Sequence, residues 1–155
     1  MSKLTGERLD LGKGSVAWGP CHIGKGAVIG ADCSIGALSH IGSEATLGDR
    51  VRVQGGAYIA NECIVWDDAF IGPNATLLND KHPPSRDAGK WKPVVIEARA
   101  VIGGGATIVP GVVVGEDAVL AAGAVLTKNL PYGEVWAGNP AKFLMSREQY
   151  EERRE

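Results

Sequence analysis

IGKGAVIGADCSIGALSHIGSEATLGDRVRVQGGAYIANECIVWDDAFIGPNATL, residues 23–77, repeats itself every six positions. Counting from Ile23 in sixes gives Ile29, Ile35, Ile41, Leu47, Val53, Ile59, Val65, Ile71 and Leu77, an unbroken aliphatic series. The odds of such a run by chance are on the order of one in a million, so the period is real. Glycine follows the aliphatic residue at Gly24, Gly30, Gly36, Gly42, Gly48 and Gly72, where it is expected to tolerate the turn geometry. A small residue sits four places after the aliphatic one at Ala27, Cys33, Ser39, Ala45, Ala57, Cys63, Ala69 and Ala75. Six is not a helical period but is three times the strand period. Each hexapeptide therefore reads as a short strand plus a tight turn, with aliphatic residues inside and small ones at the corners.

The rhythm stops at LLNDKHPPSRDAGKWKPVV, residues 77–95, and resumes at Ile96, Ile102, Ile108, Val114, Leu120 and Leu126. From Leu77 to Ile96 is thirteen residues more than one hexapeptide, so an insert inside a single repeat keeps the phase, with Val94 and Val95 closing that repeat. The reading is one all-β domain over 1–155: a parallel β-helix with repeats over about 11–131, a loop extruded over about 79–93, and a tail over 132–155. Loops of this length in compact domains are usually functional or disordered, and Trp91 with three prolines favours order. The tail SREQYEERRE starts as a capping box, Ser146 with Gln149, and pairs Arg147 with Glu151 four residues on, which predicts a short C-terminal helix.

Composition narrows the function. The chain has 45% apolar residues, enough for a real core, and a net charge of −2 with both signs dispersed, which gives no footprint for nucleic acid. The N-terminus lacks an apolar leader and no apolar run approaches a membrane span, so a soluble, cytoplasmic protein is expected.

Three hexapeptides make one turn, which stacks residues eighteen apart at about 4.8 Å. Cys21, Cys33 and Cys63 then fall on three different faces and are expected to be buried free thiols. His22 and His40 lie in one column with Tyr58 and Thr76. The column is either a polar stripe along an interface or, with a further ligand, a metal site between subunits. On the face that extrudes the loop, Asn61 lies beneath Asn79, with Glu44, Glu62 and Asp80 in line beside them. Aligned carboxylates need a cation or hydrogen-bond donors. They form either a solvated acidic face or a pocket for a cationic or hydroxyl-rich substrate.

With the terminal run GGGATIVPGVVVGEDAVLAAGAVLTKNLPYGEVWAGNPAKFL, residues 103–144, the chain resembles the hexapeptide-repeat acyltransferases over nearly its full length. The resemblance implies a left-handed β-helix, a homotrimer, and acetyl-CoA as acyl donor lying between neighbouring subunits. It places Gly104, Ala122 and Gly123 along the pantetheine arm and Lys128 and Lys142 at the phosphates. The loop NDKHPP, residues 79–84, resembles that of the nucleotide-amino-sugar N-acetyltransferases, which acetylate a 3- or 4-amino-deoxy sugar on UDP or dTDP. It also resembles the loop of the sugar O-acetyltransferases, in which the histidine is the general base.

The residues suit that chemistry. An amine attacking a thioester sheds a proton, and the imidazole of His82 is the candidate to accept it. Asn79 is the candidate for holding the amine in line, with Asp80, Asn61 and Glu62 at the acceptor. Backbone N–H groups in GGGAT and AAGAV suit the amide-bearing arm and a tetrahedral oxyanion. No resident metal is expected. Two other classes share the fold: zinc-dependent carbonic anhydrases, which need a closely spaced histidine pair absent here, and non-catalytic scaffolds.

Overall fold

The computed structural model describes residues 6–154. Two-residue strands stack into three parallel sheets that form the sides of a β-solenoid of about seven turns. One face is built on the stack Ala17, Ile35, Val53, Ile71, Ile102 and Leu120. A six-stranded face follows Ile23, Ile41, Ile59, Leu77, Ile108 and Leu126. A five-stranded face follows Ile29, Leu47, Val65, Ile96 and Val114.

The first face grows to nine strands because antiparallel hairpins finish both of its ends. Glu7–Gly12 pairs with Ser15–Gly19, and Glu134–Ala137 pairs with Lys142–Ser146. Residues 11–14, which the period assigns to the repeats, lie in and beside the turn of the first hairpin. Neither hairpin was visible to a period-of-six argument. The C-terminal helix Arg147–Glu152 has the expected capping box, Ser146 with Gln149, and the Arg147 Nε–Glu151 Oε1 pair at 2.5 Å.

Aliphatic residues from all three faces meet on the axis, where Ile35, Ile59, Ile71, Ile102 and Leu120 are fully buried. Burying a side chain of this kind is worth about 1.5–3 kcal/mol, so the repeat is also the main source of stability. Cys33 and Cys63 are buried, and burial pushes the Cys63 thiol up to about 11. Cys21 is only half-buried, against expectation, because it lies in the first coil with no full coil before it.

Glycine serves a different purpose from the one expected. The glycines after the aliphatic residues do not have positive φ. A Cβ at Gly72 would lie 2.5 Å from the Gly104 nitrogen, and one at Gly103 would lie 2.3 Å from the Ala122 nitrogen. These sites are glycine because the next coil passes too close for any side chain. The left-handed slot falls two places later, at Asp32, Leu38, Glu44, Arg50, Glu62, Asp68 and their equivalents.

Candidate functional site

The thirteen-residue insert leaves the corner between the six- and five-stranded faces, here called the loop corner. Its ends are joined by backbone hydrogen bonds: Lys92 N–H donates to the Asn79 carbonyl at 2.6 Å, and Gly111 N–H to the Lys92 carbonyl at 2.6 Å. Ile64 pairs with Val95 and Val65 with Ile96, so the phase is kept. At the root, Asn79 Nδ2 donates to the Asn61 carbonyl at 3.2 Å, while Asn61 Oδ1 accepts from Ser43 N–H at 2.9 Å. The two asparagines are brought together as the column arithmetic requires.

Within the loop, Asp80 Oδ2 accepts from Ser85 N–H at 2.8 Å and Oδ1 from His82 N–H at 3.3 Å. The Ser85 amide holds this carboxyl below the usual carboxylate range. Both Asp80 oxygens thus bond to the loop's own backbone and fix its turn. Asp87 accepts from Gly89 N–H at 2.9 Å and caps the short turn Ala88–Lys90. The His82 side chain is exposed, and its ring makes no hydrogen bond among the described residues. Lys81, Arg86, Lys90 and Lys92 are exposed in the same loop, a cationic balance the sequence reading overlooked. Glu44 and Glu62 remain as an exposed acidic pair in left-handed slots, with no ion-pair partner among the described residues.

Across the six-stranded face lies the glycine corner, where it meets the nine-stranded face. Gly105 N–H donates to the Pro73 carbonyl at 2.8 Å and Gly123 N–H to the Gly104 carbonyl at 2.9 Å. The amides of Gly104 and Ala122 have no acceptor among the described residues. Of the three residues expected along the pantetheine arm, two therefore offer a free N–H, while that of Gly123 is spent on coil stacking. The structure brings Lys128 and Lys142 together in a hollow of about 230 Å³, with Thr127, Trp136, Pro140 and Phe143. A second, largely apolar groove of about 470 Å³ runs from Ala122 past Val101 and Phe70 to Leu144, Met145 and Tyr150.

Between the two corners, the outward column of the six-stranded face contains a true stack. The His22 and His40 ring centroids are 4.6 Å apart, and those of His40 and Tyr58 are 4.5 Å apart. Burial, and then the charge of His22, lowers the His40 pKa. Among the described residues no group of three His, Cys, Asp or Glu side chains is placed to hold a metal ion. No helix is long and apolar enough to cross a membrane.

Residues 26–61 match the bacterial transferase hexapeptide family (six repeats), and residues 93–128 match the hexapeptide repeat of succinyl-transferase. The chain carries the repeats of the hexapeptide transferases. A Staphylococcus aureus 2,3,4,5-tetrahydropyridine-2,6-dicarboxylate N-acetyltransferase is 42% identical over 77 residues, which is 50% of this chain and 30% of that protein. The acetyltransferase domain of PglB from Neisseria gonorrhoeae, solved with acetyl coenzyme A, superposes with a TM-score of 0.74 at 26% identity over 85% of this chain and 58% of that one. A variant of perosamine N-acetyltransferase from Caulobacter crescentus, solved with CoA and GDP-perosamine, superposes with a TM-score of 0.73 at 25% identity over 84% of this chain and 56% of that one. The chain thus spans under a third of the curated relative and somewhat over half of these solved chains.

Proposed function

We propose that the protein is an acetyl-CoA-dependent N-acetyltransferase acting on a nucleotide-linked amino sugar. The observation that carries the reading is the solenoid, which superposes over most of this chain on solved acetyltransferases whose ligands are acetyl-CoA, CoA and GDP-perosamine. The free amides of Gly104 and Ala122 and the paired Lys128 and Lys142 suit the donor's amide arm and phosphates. Asn79 at the loop root and His82 on the loop suit the acceptor, with Asn61 and Glu62 beside them.

In this reading the acceptor nitrogen attacks the thioester carbon, forming the C–N bond and moving the carbonyl electrons onto oxygen. A free N–H at the glycine corner stabilises that oxyanion. Collapse breaks the C–S bond, CoA leaves as the thiolate, and the ammonium proton passes to His82 Nε2 or Nδ1 and on to solvent or the thiolate. The free amides of Gly104 and Ala122 lie at the opposite edge of one face from Asn79, while Lys128 lies two rungs above Asn79 on the loop-corner edge, so a homotrimer in which a neighbour's glycine corner completes each site fits the geometry.

A second acceptor class is favoured by the S. aureus relative, whose substrate is a dicarboxylate rather than a sugar. The exposed cations Lys81, Arg86 and Lys92 suit carboxylates as well as phosphates. The test is thiol release from acetyl-CoA against UDP-, dTDP- and GDP-linked amino sugars, hydroxyl sugars and tetrahydropyridine dicarboxylate. Turnover on an amino sugar is expected. Turnover on hydroxyl sugars alone moves the protein to O-acetyl transfer, and turnover on the dicarboxylate alone replaces the sugar.

A further inference from the structure

The outward column of the six-stranded face reads His22, His40, Tyr58, Thr76, Thr107, Val125. Its first three members are rings that stack at 4.6 and 4.5 Å with planes within 16° and 13° of parallel. This is the spacing that strand separation imposes, and it lies within the range of favourable aromatic contact. The next two rungs are threonines. Tyr58 thus has one ring face covered by His40 and the other directed toward side chains too short to cover it, and the residue is 42% exposed. Neither threonine hydroxyl makes a hydrogen bond among the described residues, although both residues are half-buried. The ladder therefore ends in a step with an aromatic wall and a floor of two hydroxyls.

We propose that this step is the seat of the acceptor's nucleobase, which stacks on Tyr58 as the fourth ring of the column above Thr76 and Thr107. The inference rests on the nucleotide-linked acceptor proposed above. Position suits the occupant. Thr76 is three residues, roughly 10 Å of extended chain, before Asn79 at the loop root. A nucleoside diphosphate sugar can bridge that gap, with its sugar at Asn79 and its diphosphate passing the exposed Lys81 and Lys92. The adenine of CoA, whose phosphates belong with Lys128 and Lys142, would reach the step from the C-terminal end of the same face, past Val125 on the rung above Thr107, so CoA is titrated beside the nucleotides and a loss in Tyr58→Ala confined to CoA overturns the assignment. A stacked ring with two hydroxyls beneath it suits a base, since every base offers a π-face and polar edges.

Isothermal titration of the full chain with UDP, dTDP and GDP tests this. Tyr58→Phe is expected to keep wild-type affinity and Tyr58→Ala to weaken it by roughly ten- to a hundredfold. Thr76→Tyr extends the ladder by one ring and is expected to abolish binding without disturbing the sheet, since only an outward side chain grows. Equal affinity in wild type and Tyr58→Ala, or no nucleotide binding by wild type, overturns the site. So does a change in assembly size of Tyr58→Ala by light scattering, which would assign the column to contact between copies. Acetylation of a nucleotide-linked amino sugar with an unchanged acceptor KM in Tyr58→Ala sinks the stacking site and leaves the transferase. Nucleotide binding lost in Thr76→Tyr, with no amino sugar acetylated by wild type, keeps the site and removes the transferase.

Discussion

Two corners of the prism put charged residues in the same left-handed slots and treat them in opposite ways. Where the five-stranded face meets the nine-stranded one, the column reads Asp32, Arg50, Asp68, Arg99, Asp117, alternating in sign. Arg50 Nε bonds Asp68 Oδ1 at 2.8 Å, Arg99 Nε bonds Asp117 Oδ1 at 2.9 Å, and Arg99 also pairs with Glu116. The loop corner stacks Glu44 on Glu62 with no ion pair among the described residues, and then releases a loop rich in lysine and arginine. A column that only holds coils together neutralises itself. One that leaves like charges adjacent and cations nearby has capacity to spare for a ligand.

The comparison fails or sharpens on a graded set of variants. His82→Ala is expected to lower kcat by roughly a hundredfold or more with the thermal midpoint unchanged. Near-wild-type turnover would shift the proton to substrate or solvent and leave Asn79 as the positioning group. Asp80→Ala releases the Ser85 and His82 amides. It is expected to raise the acceptor KM by about tenfold while the acetyl-CoA KM holds, together with faster proteolytic nicking between residues 79 and 93. An unchanged KM would mean that loop order is not what presents His82.

Glu62→Gln and Arg99→Met form a matched pair across the two corners. The first should leave the unfolding free energy unchanged or slightly raised, because it relieves repulsion with Glu44, and should weaken acceptor binding. The second should lower the unfolding free energy only slightly, as expected of exposed pairs, and leave kinetics untouched. Reversed outcomes in urea melts and steady-state rates would end the distinction. The smallest effect concerns pH. The His40 pKa is lower folded than unfolded, so the unfolded chain takes up the proton first on acidification, and stability falls as pH drops through the ordinary histidine value of about 6.5. His40→Phe keeps a ring in the stack and should flatten that slope in melts at pH 7.5 and 5.5.

Much of this was legible in the chain because a fixed period turns addition into geometry. The partners of Ile35, of His22 and of Asn61 follow from adding eighteen, and the phase across the insert follows from counting thirteen extra residues. The arithmetic says nothing where no period exists. The flanking hairpins are set by antiparallel pairing without repeats, and the turning of Asp80 into the loop depends on local backbone hydrogen bonds. The role of Gly24, Gly42 and Gly72 was misjudged because a period records that glycine recurs, not whether φ or a neighbouring backbone demands it. The same limit hid which amides at the glycine corner are spent.

Because the loop leaves and rejoins the solenoid with its ends hydrogen-bonded and its phase intact, the number of residues in it is invisible to the core. Lengthening, shortening or exchanging it alters no inward side chain and no register. On the proposed function, acceptor specificity in such a scaffold can then diverge as an exchangeable cassette, while the glycine corner proposed for the donor, where coils approach too closely for a side chain, stays fixed.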